Sequence, residues 1–443
     1  MFGISVEKAA EICSGRLIAF SGADSEIKRI ITDSREAREG DLFLAYRGEK
    51  QDGHDYISSA FEKGALCALA EYAPEGAEGN LIIVDNVQNA VEKLIAFFLK
   101  SFNIPVLGVT GSAGKTTAKE MIAAVLGQKF RVFKTEKNLN SNVGLPITIS
   151  HMEEGTELAV LELGISIPGE MKHRGEMTHP DVMVFTNIGH AHLEFLGDLE
   201  GVFREKTEII KYMPENGTLI VNGDDEYLSK LQCPQKKLVY GLGENADVRA
   251  LNISADEEGR LSFDICHEGR SFPVKLNAYG RHLVYTALMG YCAGLCFGLS
   301  PEEIIEGIKT YEVAGRRGAI VKTPYLTLVD DCYNSNLDSC RFSISSVMDL
   351  PGRHVLILGN ILELGDSSVQ QHRELGEFAK KSGAELVVGV GSFGKYISDL
   401  HFETKGELLE ALPGIVQKGD NVLVKASLGM HLEEISEYLK KLS

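Results

Sequence analysis

The stretch that most restricts how this chain can fold is IPVLGVTGSAGKTTAKEMIAAVLGQKF, residues 104–130. An apolar run, a glycine-rich turn carrying Lys and Thr, and a helical pattern follow one another without a break. They predict a buried strand over 104–111 and a helix over 118–130. Further apolar runs at 157–164 (ELAVLELG), 181–189 (DVMVFTNIG) and 217–225 (GTLIVNGDD) are separated by segments of helical length. This alternation predicts an α/β protein with a doubly wound, mostly parallel sheet.

At 443 residues the chain exceeds the size at which a single core stops growing, about 250–300 residues. The first hundred residues carry short apolar runs split by turn signals and predict a small α/β unit. Residues 246–277 break the βα rhythm and predict a hairpin, turning at EEGR and HEGR, that decorates the sheet. Helices around 283–297 and 301–310 close this part. A third βα series runs through TLVDD, RHVLILG, ELVVGVG and DNVLVKAS. The expected domains are 1–102, 103–312 and 313–443, the central one built like a P-loop ATPase and the last Rossmann-like.

A net charge of −18 argues against a nucleic-acid partner, which clustered Lys and Arg would have to hold. Eight cysteines without CxxC pairs argue against zinc and against a disulfide framework. The N-terminus MFGISVEKAAEICSGR has no basic segment followed by an apolar one, and no apolar run is long enough for a bilayer. A cytoplasmic protein without membrane insertion is expected, and a monomer, because no amphipathic stripe is left over for a partner.

The loop Gly111, Ser112, Ala113, Gly114, Lys115, Thr116 and Thr117 supplies what ATP phosphates need: backbone N–H groups, a lysine, and a hydroxyl for Mg²⁺. Val109 stands where the longer P-loop pattern has glycine, so the spacing is the shorter GxxGKT. Glu162 ends a strand at the sheet edge where α/β enzymes place ligands, and its carboxylate suits Mg²⁺. In TNIGHAHLE, alternation would point His190 and His192 the same way if the strand continues through them, and either is then a ligand or a packed imidazole. In GVFREKTEIIKYM (201–213), Val202, Lys206, Ile209 and Met213 share one helical stripe. Either Lys206 covers apolar surface with its stem while its ammonium reaches water, or burial lowers its pKa and leaves a reactive amine. Such an amine could add CO₂ and become a carbamate, an anionic ligand for Mg²⁺. Periodicity does not choose between the two.

TGSAGKTT, LNSNVGLP (139–146), LELGISIPGEM (161–171), NIGHAHLEFLG (187–197), the REKTEI segment whose lysine lies fourteen residues beyond His192, and DDCYNSNLDS (330–339) together resemble the Mur ligases. TDSR (32–35), GDLFLAYRGE (40–49) and DGHDYI (52–57) extend the similarity to the N-terminus. The resemblance implies an ATP-dependent, ADP-forming ligase that works through an acyl phosphate. It implies UDP-N-acetylmuramoyl-tripeptide and D-alanyl-D-alanine as substrates, in peptidoglycan precursor synthesis.

It further implies that Lys206 is carbamylated and shares a second Mg²⁺ with His192, while Thr116 and Glu162 hold the metal of ATP. Asn142, His282, Arg316 and Asp331 are implied nucleotide contacts. Ser34, Arg35, Asp52, Gly53 and His54 are implied at the UDP end, and Tyr333, Asn334 and Asn336 at the substrate. Leu283, Thr286, Asn360 and Leu428 depart from the family pattern. The last two lie where the amine should enter, and losing a guanidinium at 428 removes a carboxylate partner. A paralogue joining another carboxylate and amine, in a pseudomurein or tetrapyrrole-cofactor pathway, is the second reading. A non-catalytic ATP-binding scaffold is the third; it has no use for a complete set of Lys115, Thr116, Glu162, His192 and Lys206.

Overall fold

Three β-sheets of five, nine and six strands follow one another along the chain, beside a small antiparallel pair of Ile4–Ser5 with Glu26–Ile27, in the computed structural model, which describes residues 3–48, 51–136, 139–256, 260–312 and 318–442, with the side chains of 277–279 left out. Arg316 lies outside the described residues. The first sheet has five strands in the order Arg16–Ile18, Asn80–Ile83, Cys67–Ala70, Asp41–Leu44 and Arg29–Ile31, parallel except at the first pair.

The central sheet has nine strands. From Val132–Lys134 the order runs through Leu158–Glu162, Val106–Thr110, Val182–Phe185, Thr218–Asn222 and Lys236–Gly241 to Val248–Ala255, all parallel. Arg260–His267 and Arg270–Tyr279 complete it antiparallel. The expected decorating hairpin is therefore the end of the main sheet. Val248 pairs with Tyr240, so the strand that opens the meander is already a member of the parallel array. At HEGR the two strands are joined through Glu268 and Gly269, both left-handed (φ 48° and 73°), a two-residue connection matched to strand twist.

Alternation explains the helices on both faces. Ala159, Leu161, Met183 and Phe185 enter one apolar cluster, and Leu158, Val160, Val182 and Val184 enter the other. Strands buried on both sides need two covering layers. The first cluster also takes in Leu42, Val91, Leu94 and Ile95, so helix Val87–Phe102 joins the first and central sheets through a shared core.

The third sheet has the order Ala319–Lys322, Thr327–Asp331, Asn421–Lys425, His354–Gly359, Leu386–Val390 and His401–Phe402, parallel after the first pair. No helix among the described residues is long and apolar enough to cross a membrane.

Two helices that carry candidate residues differ from expectation at their ends. The helix expected at 118 starts at Lys115, because Gly114 in the left-handed region (φ 76°) closes the loop three residues earlier. Helix Leu199–Thr207 passes into a 3₁₀ turn, Glu208–Tyr212, and Met213 is already extended. The apolar stripe thus holds through Val202, Lys206 and Ile209, all buried.

Candidate active site

The phosphate loop leaves the carboxyl end of strand Val106–Thr110 and is stitched to the chain that leaves the neighbouring strand Val182–Phe185. Ser112 N–H donates to the Asn187 carbonyl (3.0 Å), and Ala113 N–H donates to Asn187 Oδ1 (2.9 Å). Ser112 Oγ donates to the Gly189 carbonyl (3.0 Å), while Thr186 Oγ1 donates to the Ala113 carbonyl (2.6 Å). Gly111 (φ 149°) has to be glycine, since a Cβ there would stand 1.9 Å from Thr186 Oγ1. With Ser112 and Ala113 so engaged, the first turn of helix Lys115–Leu126 is the part of the loop left to meet a phosphate. Lys115 Nζ folds back onto the Gly111 carbonyl at 2.8 Å.

Glu162 is buried and oriented on both oxygens. Thr116 Oγ1 donates to Oε2 (2.8 Å), and Asn140 Nδ2 donates to Oε1 (2.8 Å). A hydroxyl and a carboxylate are hard oxygen donors of the kind Mg²⁺ takes. Among the described residues no group of three or more His, Cys, Asp and Glu side chains could hold a metal, so any metal here needs other donors as well. Asn140 was not singled out from the sequence, where the resemblance of LNSNVGLP points to Asn142. The structure gives Asn140 the carboxylate and leaves Asn142 Oδ1 buried without a hydrogen-bond partner among the described residues.

Lys206 is 1% exposed, and its ammonium makes no hydrogen bond or ion pair among the described residues. At 1% exposure the side chain does not lie along the surface with its ammonium in bulk water. Burial pushes its pKa well below the ordinary 10.5, and the charge of Lys115 pushes the same way; Glu205 opposes both. Glu205 is otherwise engaged, its Oε1 accepting the N–H groups of Gly169 (2.9 Å) and Met171 (3.0 Å).

His190 and His192 do not point alike, because the strand ends at Phe185 and His192 is left-handed (φ 56°). Each meets a different carboxylate of the C-terminal part. Asp338 Oδ2 accepts His190 N–H (3.0 Å) and lies 3.2 Å from its Nδ1; Glu363 Oε2 lies 2.5 Å from His192 Nδ1. Asn336 caps helix Leu337–Met348 and donates from Nδ2 to the Ser112 carbonyl (3.2 Å). Asn334 is exposed and Tyr333 half-buried nearby.

Asp331 Oδ2 accepts from buried Lys425 (2.6 Å) and from Ser343 Oγ (2.5 Å). Burial lowers the pKa of His282, against the nearby Asp331 charge, which raises it. Leu283 and Thr286 are buried beside it. Asn360 is buried and holds the next loop, donating to Ser392 Oγ (3.1 Å) and accepting Phe393 N–H (3.1 Å), whereas Leu428 is 49% exposed.

In the N-terminal part Ser34 is buried and exposed Arg35 pairs with Asp33 (2.6 Å). His54, 2% exposed, has both ring nitrogens occupied. Nε2 accepts Glu71 N–H (2.8 Å), so Nδ1 carries the proton shared with Asp52 Oδ1 (2.5 Å). Gly53 passes so close to Tyr46 that a Cβ would lie 2.6 Å from its carbonyl oxygen. The ring of His54 therefore shapes this loop and has no free nitrogen for a ligand.

A further residue escaped the sequence. Arg174, on a helix whose EMKHRGEM pattern reads as a solvated face, is 0% exposed. Its Nε donates to the Gly164 carbonyl (3.2 Å), and both terminal nitrogens are buried without a hydrogen-bond partner among the described residues, as is the hydroxyl of Tyr46. Burial lowers its pKa. Native structures rarely orphan such groups, and a guanidinium with its fork free fits a carboxylate.

Residues 26–140 match the Mur ligase family catalytic domain, 109–294 the Mur ligase middle domain, and 316–428 the Mur ligase glutamate ligase domain. The UDP-N-acetylmuramoyl-tripeptide--D-alanyl-D-alanine ligase of Bacillus subtilis is 36% identical over 97% of each chain, and that of Escherichia coli 32% over 100% of this chain and 99% of its own. MurF from Acinetobacter baumannii superposes with a TM-score of 0.94 at 29% identity over 99% of both chains. MurF ligase from Thermotoga maritima in complex with ADP superposes at 0.87, 31% identical over 94% of this chain and 97% of its own. The chain belongs to the Mur ligase family.

Proposed function

We propose that the protein is an ATP-dependent, ADP-forming ligase that adds D-alanyl-D-alanine to UDP-N-acetylmuramoyl-tripeptide, in the cytoplasmic assembly of peptidoglycan precursors. The observation that carries it is a lysine, Lys206, that is only 1% exposed and has no hydrogen-bond or ion-pair partner among the described residues, with the charge of Lys115 adding to burial in lowering its pKa. A bare ammonium there is costly; a carbamate there would be a ligand. The relatives named for this activity align with nearly the whole chain.

When bound, ATP supplies the transferable phosphoryl group, and Mg²⁺ offsets the charge that repels an incoming carboxylate. Thr116 and Glu162 would hold one Mg²⁺, and His192 with carbamylated Lys206 a second. Lys115 exchanges the Gly111 carbonyl for the phosphates. A substrate carboxylate attacks the γ-phosphorus and ADP departs with the bond to its β-phosphate oxygen. The amine of the dipeptide then attacks the acyl carbon, the bond to the phosphate oxygen breaks and phosphate leaves, and the nitrogen gives up its proton to water. Asp331 and His282 would contact the nucleotide, as would Asn142 and Arg316. Ser34, Arg35 and the loop Asp52–His54, whose shape the His54 ring fixes from within, would hold the UDP end, and Tyr333, Asn334 and Asn336 the reacting substrate.

Arg174 would take a carboxylate of the peptide. Arg174→Met is therefore expected to raise KM for the UDP-tripeptide by about tenfold to a hundredfold, as loss of a charged hydrogen-bond partner does, with KM for ATP little changed. Steady-state kinetics with each substrate varied checks this, and an equal rise in both values would remove the assignment.

Purified protein with ATP, Mg²⁺, bicarbonate and UDP-N-acetylmuramoyl-tripeptide should yield the UDP-pentapeptide by mass spectrometry only when D-alanyl-D-alanine is present. Binding of the UDP-tripeptide without product would keep the first substrate and reassign the amine. No binding would turn the assignment to a paralogue.

A further inference from the structure

We infer that Glu363 is a positioning residue for the second metal site, and that this site is complete only when the C-terminal sheet is docked on the central one. The inference rests on the assignment of His192 as a metal ligand. Glu363 lies in the loop after strand His354–Gly359 of the third sheet, and His192 in the loop after strand Val182–Phe185 of the central sheet. The 2.5 Å contact between Glu363 Oε2 and His192 Nδ1 crosses between them.

A carboxylate accepts, so Nδ1 carries a proton, and in the neutral ring Nε2 is then the nitrogen that holds the lone pair. Among the described residues Nε2 has no hydrogen-bond partner. This is the tautomer a metal requires, and outer carboxylates commonly hold metal-binding histidines in it. Both partners have left-handed backbones, φ 56° at His192 and 61° at Glu363. Non-glycine residues keep that conformation where surrounding contacts enforce it, often at functional sites. Here the surroundings include Glu194 N–H donating to the Glu363 carbonyl (3.4 Å).

The same interface holds Asp338 on the His190 N–H and Asn336 on the phosphate-loop carbonyl of Ser112. Docking of the third sheet thus touches the loop that receives phosphate and the segment that carries His192. Metal loading and domain closure are linked, so that closing favours the metal-ready imidazole and the metal favours closing.

The test uses the full chain with Mn²⁺ as the probe metal and a non-hydrolysable ATP analogue, with Glu363→Ala, Glu363→Gln and His192→Ala compared by metal titration. ¹⁵N NMR of the metal-free protein reads the His192 tautomer. Glu363→Ala is expected to weaken the looser Mn²⁺ by about tenfold to a hundredfold and to remove the preference for the Nδ1-protonated form. Glu363→Gln, which keeps an acceptor without the charge, should fall between and covers the case that the alanine variant misfolds. Unchanged affinity and tautomer in both Glu363 variants, beside loss of one ion in His192→Ala, overturns the positioning role alone. Retention of both ions at wild-type affinity in His192→Ala overturns the ligand assignment and the inference with it.

Discussion

Lys206→Met is expected to lower the ligation rate by about a thousandfold and, in CO₂-free buffer, to leave the protein more stable than the wild type. The first effect is the scale on which a single charge-stabilising group contributes to phosphoryl and acyl transfer. The second follows from burial. An amine without a partner costs about 1–3 kcal/mol, and Met fills similar volume with no polar atom to satisfy. Bicarbonate should stabilise the wild type, because a carbamate that forms on the folded state and binds Mg²⁺ shifts the equilibrium by mass action; the Met variant should not respond.

The pH dependence has a definite sign. Lys206 is protonated in the unfolded chain up to the ordinary 10.5 and sheds its proton earlier in the fold. The unfolded state therefore binds more protons between those two values, and CO₂-free wild type gains stability as pH rises through that window. Lys206→Met lacks this gain. Denaturant midpoints across pH, with and without bicarbonate, check all three statements. A bicarbonate response that survives in the Met variant would show that the carbamate is elsewhere.

Lys206 was visible in the sequence because a helix repeats every 3.6 residues and a charge on an apolar stripe stands out. The central strands were visible for a related reason, since Leu158–Glu162 and Val182–Phe185 are buried on both faces and read as continuous apolar runs. Val132–Lys134 is short, half-exposed and at the sheet edge, so it carries no such run. What periodicity could not see was proximity. Asp338 lies 148 residues from His190, Glu363 171 from His192, and Asn336 224 from Ser112. Local spacing carries no information about such pairs. The His190–His192 alternation failed because it assumed a strand that ends at Phe185. Arg174 was hidden for the opposite reason: its helix is polar in composition, and tertiary packing rather than pattern buries it.

Lys115→Met is expected to lower kcat by about a thousandfold or more and to raise KM for ATP, since the lysine acts on the phosphates whose charge changes during transfer. It should also act on Lys206. The Lys115 charge is one of the two influences that hold the Lys206 pKa down, after burial. Removing it lets that pKa rise, so that at a given pH a smaller fraction is the neutral amine that can add CO₂. The carbamate, once formed, has also lost a nearby cation. Both changes reduce carbamate occupancy at fixed bicarbonate and move its formation to higher pH. ¹³C NMR of protein equilibrated with labelled bicarbonate measures this directly, apart from any turnover. Because the two lysines act as one unit, the double variant should lose little more than the worse single variant instead of the product of the two losses. Full carbamate occupancy in Lys115→Met, or strictly multiplicative losses, would mean that the two sites work independently and that the phosphate loop has no part in preparing the lysine.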